Sequence, residues 1–247
     1  MNNQIDEMRR VNELGEYISL LEQATSYFQK IIGYPDFTPD APARYKSPNP
    51  RVIQFLLCVR ITSGLRAAQI LISRGHIIEV GVLLRTIDDF IGDIRFVKDA
   101  MDTTPNAVQR KFIDGYFITD GTSQHVGRKQ KVQASEGRFY GDLNNNPHHF
   151  TESVRAIDSM WDMYVHGDYE PVMELCEGNG FYTSGTQNLY RLRNYRKNIA
   201  IYVHRSFNIF FEFSYDLELL QLAEELAIHR SEFEKTDAYT DSPSNDE

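Results

Sequence analysis

The chain has 247 residues, 41% of them hydrophobic, with 35 acidic and 26 basic side chains and a formal charge of −9. That length allows one sizeable core, and the composition excludes disorder over most of the chain. The acidity excludes long-range attraction to a nucleic-acid backbone, so any such contact needs a local basic patch. Two cysteines, Cys58 and Cys176, are too few for a disulfide scaffold and point to a reducing compartment. The opening MNNQIDEMRRVNE lacks the layout of a signal peptide. No apolar run is read as reaching the roughly 20 residues that span a bilayer. The expected setting is soluble and cytoplasmic, with no membrane contact.

In chain order, residues 4–32 place Ile5, Met8, Val11, Leu14, Ile18, Leu21, Ala24 and Phe28 on one helical face, and Gly33 ends the run. Five prolines in 34–50 predict an irregular loop over about 33–50. A second helix is expected from about Arg51 to Arg74, stopped by Gly75. A third runs from His76 to about Ala100. Its IIEVGVLL start is apolar almost all round and marks a central helix. A shorter helix over 105–119 is opened by Pro105. Residues 120–147 lose helical period and are expected to form a long surface loop. A fifth helix spans about 148–165, and a last one about 186–235. Residues 236–247 form an acidic tail expected to be disordered. The fold class is all-α: one domain over 1–235, an irregular bundle of five or six helices.

Tyr-Val-His occurs twice, ending at His166 and at His204, among only seven histidines. An offset of eleven residues returns to within roughly 20° on a helix, so Arg155, Asp158, Asp162 and His166 share a stripe. That stripe is either a solvent face with a capping histidine or an imidazole oriented by Asp162. No second His or Glu-x-x-His partner accompanies it, so no metal is expected. Past the helix, HGDYEPVMEL gathers His166, Asp168, Tyr169 and Glu170 at a turn, either a capped corner or a displayed site. Arg193, Lys197, His204 and Asn208 share a face within roughly 60° on the last helix. His204 sits in IAIYVHRSFNIFFEF, and is expected to be the more buried of the two histidines. In LLRTIDDFIGDIR, Arg85 has Asp88 and Asp89 at three and four residues, within reach of its guanidinium. This is either a structural ion pair or an arginine held to grip an anion. Basic residues cluster in GRKQK (127–131) and in LYRLRNYRK (189–197). Tyr190 and Tyr195 interleave the second cluster, which is either a solvated helix start or a face that stacks on bases and binds phosphates.

The apolar helix carrying LLRTIDD, the later YVHG turn and the long apolar C-terminal helix resemble a group of uncharacterised bacterial all-helical proteins. That group is similar to the HEPN superfamily (higher eukaryotes and prokaryotes nucleotide-binding). The resemblance spans roughly residues 50–220. It implies a helical bundle, frequently a homodimer and without a cofactor. It also implies RNA or nucleotide as ligand, and in many members a metal-independent ribonuclease of toxin–antitoxin or phage-defence systems. The family's signature sets an arginine four to six residues before a histidine. The nearest match here is Arg196-KNIAIYV-His204, with seven residues between.

The leading expectation is therefore general acid–base chemistry by His166 and His204, with Arg196 and Arg85 as anion clamps. Arg193, Lys197, Tyr195, Asn208, Asp89 and Asp168 are the expected binding residues. The alternative is a non-catalytic interaction module, immunity- or antitoxin-like, whose acidic surface suits a basic protein partner.

Overall fold

Apolar side chains at three- and four-residue spacing fold Asn2–Ile32 into α1 and bury Val11, Leu14, Ile18, Leu21 and Phe28. Gly33 closes it at φ +88°, its N–H donating to the Gln29 carbonyl at 2.8 Å; glycine takes that conformation without strain. The computed structural model describes residues 2–38, 41–45, 49–118, 126–136, 138–139, 176–177, 180–181 and 188–240. Helix α2 (Pro50–Ser73) starts from Asn49, whose side chain accepts the Arg51 N–H at 2.9 Å, with proline in the first turn. It ends in a Schellman turn: Gly75 at φ +79°, Gly75 N–H to Ile72 O and His76 N–H to Leu71 O, both 3.0 Å. Helix α3 (Ile77–Asp102) packs along α2. Their close approach passes Gly64, where a β-carbon would stand 3.1 Å from Ile87.

Helix α4 (Ala107–Tyr116) begins two residues later than Pro105 suggested. Asn106 is the cap, because its side chain and that of Gln109 form a reciprocal capping box. The expected loop 120–147 contains a helix, α5 (Arg128–Ala134). Seven residues are too few to show a period, and its ion pairs with α3 hold it in place. The expected helix at 148–165 lies outside the described residues.

The expected last helix is two: α6 (Leu189–Asp216) and α7 (Leu220–Phe233). Glu218 separates them at φ +60°, with Glu218 N–H to Tyr215 O at 3.0 Å and Leu219 N–H to Ser214 O at 2.9 Å. This is the same Schellman turn with glutamate in the position glycine usually takes. The reversal lays α7 back over α6 and α1, where Phe233 is fully buried and its ring stands 4.7 Å from that of Tyr17. A short α8 (Asp237–Thr240) follows, so the first part of the expected tail is folded. Its Ala238 is buried, its N–H donates to Glu13 at 3.1 Å, and Arg9 reaches Asp237 at 3.2 Å.

Helices α1, α2, α3 and α6 share one core; α4 and α5 lie beside α3, and α7 and α8 cover α6 and α1. Phe28 joins them through Phe210 and Phe213, at ring distances of 5.4 and 4.9 Å. The fold is all-α, as expected, and the described residues hold eight helices. Two small antiparallel hairpins interrupt it. Asp36–Thr38 pairs with Ala41–Arg44 inside the segment expected to be irregular, and Cys176–Glu177 pairs with Gly180–Phe181. One expectation on membranes is corrected. Helix α2 is long and apolar enough, by length and composition, to cross a bilayer. In this fold it packs against α1, α3 and α6 and buries Ile53, Cys58, Ile61, Leu65 and Ala68 among its core residues.

Candidate functional site

Helix α3 carries three aspartates along one side, and the bundle answers each with a cation. Asp88 is almost wholly buried, at 1% side-chain exposure. Arg205 of α6 donates to its Oδ1 at 2.7 Å and Arg128 of α5 to its Oδ2 at 3.1 Å. Arg128 also bonds Asp89, and Arg85 Nη1 lies 2.8 Å from Asp89 Oδ1. One turn further on, buried Asp93 binds Lys131 of α5, whose ammonium also stands 5.0 Å from the Phe112 ring centroid. Burial alone raises the Asp88 pKa. Arg205 and Arg128 outweigh it and hold the carboxyl below the usual carboxylate range. Burial likewise works against the Arg205 charge, and Asp88 and Tyr202 more than restore it. Arg85 and Asp89 thus meet as the sequence predicted, inside a larger cluster that recruits Arg128 and Arg205. The basic run GRKQK is not an open phosphate-binding face: Arg128 and Lys131, three residues apart, both turn inward.

The second basic run is also partly internal. Arg196 has no exposed side-chain surface; its Nε donates to Glu7 Oε1 at 2.5 Å and its Nη1 to the Ala238 carbonyl. It fastens α8 and α1 onto α6 and has no open edge to present to an anion, contrary to the expected clamp. Tyr195 is buried, Arg193 and Lys197 are half-buried, and Tyr190 is exposed. His204 is half-buried. Its Nε2 is 2.7 Å from Glu234 Oε1, and its ring lies 5.2 Å from that of Tyr239. Asn208, one turn on, accepts from Arg230 of α7 at 2.6 Å. These contacts tie α6 to α7 and α8 and stand apart from the α3 cluster. His166 and Asp168 lie outside the described residues, as does any comparison of the two Tyr-Val-His copies.

Beyond Asp93 and Lys131 a cleft of about 470 Å³ opens between α2, α3, α4 and α5. Its wall is mixed. Arg60 of α2 lies 5.3 Å from the Phe90 ring centroid. Lys111, Phe112 and Tyr116 of α4 face it, with Asp93 and Lys131 at the floor. Burial raises the Tyr116 phenol pKa and the Asp93 charge adds to it, against a smaller opposing effect of Arg60, so the group stays protonated and can donate a hydrogen bond. Among the described residues, neither Arg60 nor Lys111 has a carboxylate partner. Nearby Arg85, Arg128, Lys131 and Arg205 all have one. Sequence reading passed over this cleft. Arg60 had a signal, as the lone charge in FLLCVRI. Lys111 and Tyr116 had none, because only the packing of α4 beside α3 brings them to it.

Together these features define an all-α bundle with a polar, cation-bearing cleft against its central helix. Neither a family model, nor a curated protein, nor a solved structure matches the chain.

Proposed function

We propose that the chain is a HEPN-like helical protein that binds a nucleotide or an RNA end in the cleft beside α3. The phosphate meets Arg60 and Lys111, and the base lies against Phe90 and Tyr116. One observation carries this reading: two cations line a concave wall without carboxylate partners among the described residues. A cation in such a place gains most from an anionic ligand that sheds water on binding. The aromatic rings supply the stacking surface that every base accepts. The charge of −9 favours a short ligand, because a long phosphate backbone would meet repulsion outside the cleft.

This reading is one of binding. The ribonuclease step implied by the resemblance would need a base and an anion clamp at the same place. Arg196 is sealed onto Glu7, and His204 is not among the residues lining the cleft. The resemblance supplies the wider setting of this proposal, a cytoplasmic toxin–antitoxin or phage-defence system.

The test is calorimetric titration with nucleoside monophosphates, with short oligoribonucleotides and with inorganic phosphate. Losing a hydrogen bond to a charged group costs about 1.5–3 kcal/mol, so Arg60→Ala and Lys111→Ala should each weaken binding roughly ten- to hundredfold. Failure of all three probes to bind, or equal binding by Arg60→Ala and the unaltered protein, would remove the proposal.

A further inference from the structure

The C-terminal turns of α1 meet the start of α7 around an open groove of about 440 Å³. Tyr27 and Leu220 face it at 50% and 60% exposure, with Leu219 and Leu222 beside them. Ile31, one turn past Tyr27 on α1, is also exposed. Large apolar side chains exposed together in this way mark an interaction surface more often than a bare one. The charged residues lining the groove are of one sign. Glu218 and Glu225 line it, and Glu224 is exposed beside them on α7. Among the described residues none of the three meets a cation; Glu225 accepts only from the Gln221 amide, at 3.2 Å. One ammonium stands at the edge, Lys30, 4.8 Å from the Tyr27 ring centroid.

We infer that this groove docks a basic amphipathic segment of a partner protein, with its apolar face on Tyr27 and Leu220 and its lysines or arginines on Glu218, Glu224 and Glu225. The charge pattern selects this occupant. Three unpaired carboxylates around an apolar floor repel nucleic acid and acidic lipid, and attract a helix of alternating apolar and cationic character. The net charge of −9 steers the same class of partner from a distance. A second copy of the chain would bring the same carboxylates against themselves, unless it presented a different face. The groove is separate from the cleft beside α3, so the two proposals stand or fall independently.

The experiment uses the full chain and a fluorescent synthetic helix of leucine and lysine, read by anisotropy against a scrambled peptide of the same composition. The expected result is at least tenfold tighter binding of the amphipathic peptide, weakening with salt. Leu220→Asp adds a negative charge, so a purely electrostatic attraction would hold or strengthen, whereas groove docking weakens at least tenfold. Glu218→Gln with Glu225→Gln should weaken binding and flatten its salt dependence, while Arg60→Ala leaves it unchanged. Tyr27→Ala repeats the apolar test on the other helix. Absence of binding, undiminished binding by Leu220→Asp, or a dimer in sedimentation that Leu220→Asp abolishes would each overturn the inference.

Discussion

Arg205 of α6 donates to Oδ1 of Asp88 on α3 at 2.7 Å, and Arg128 of α5 holds the other oxygen of the same carboxylate. One buried aspartate therefore joins three helices. A lone carboxylate in that position would be very costly, and so would either arginine without it. The arrangement explains why a seven-residue α5, with little apolar surface of its own, keeps a fixed place.

Asp88→Asn should unfold more readily than any surface variant. It leaves Arg128 and Arg205 short of their counter-charge, which costs on the order of 3–5 kcal/mol for a buried pair. For a chain of this size that is a fall in Tm of about 6–20 °C. Thermal melts followed by circular dichroism decide it, and a loss below about 1 kcal/mol would show that the cluster is dispensable.

The same carboxylate predicts a pH dependence. Its folded pKa is held below the unfolded value of ~3.9. Its contribution is fully present above the unfolded value and is lost as pH falls through the folded one. Urea unfolding between about pH 5 and pH 2 should show stability falling with pH, and Asp88→Asn should flatten that slope. An unchanged slope in the variant would assign the acid sensitivity to other carboxylates.

Arg196→Ala should destabilise the chain whatever its activity. It leaves Glu7 buried beside Arg10, at 3.6 Å, without its nearest cation, and releases the Ala238 carbonyl. A loss on the order of 3 kcal/mol is expected. Hydrogen exchange should rise first at residues 237–240, since α8 is held by this contact. Protection there equal to the unaltered protein would contradict the anchoring role.

Glu218→Gly should stabilise the fold. A non-glycine residue at φ +60° costs about 1–2 kcal/mol, of which the greater freedom of glycine in the unfolded chain takes back roughly half. A gain of about 0.5–1 kcal/mol in urea unfolding is expected, whereas Glu218→Ala should give none. Equal effects from the two variants would mean that charge, not backbone strain, governs this turn.

Much of this architecture is local, and local chemistry is legible. The three- and four-residue spacing in α1, α2 and α3, the stops at Gly33 and Gly75, and the all-round apolar start of α3 specify helices by backbone sterics and one-sided burial. The Arg85–Asp89 pair is legible for the same reason, because four residues bring the two side chains to one face. The break at Glu218 was hidden, since a left-handed glutamate is disfavoured locally and persists only because α7 gains burial for Phe233 by folding back.

The site was decided almost wholly by tertiary structure. Whether a cation is spent or available depends on what faces it. GRKQK looked like an open basic patch, yet Arg128 and Lys131 are held by Asp88, Asp89 and Asp93, nearly forty residues earlier. Arg196 looked like a clamp and is an anchor, because Glu7 comes from the other end of the chain. Arg60 and Lys111 drew no notice in the sequence and line the cleft together, because α4 packs beside α3. Helical period acts over a few residues and can be read along the chain; charge pairing acts through space, between residues whose sequence separation carries no trace of it.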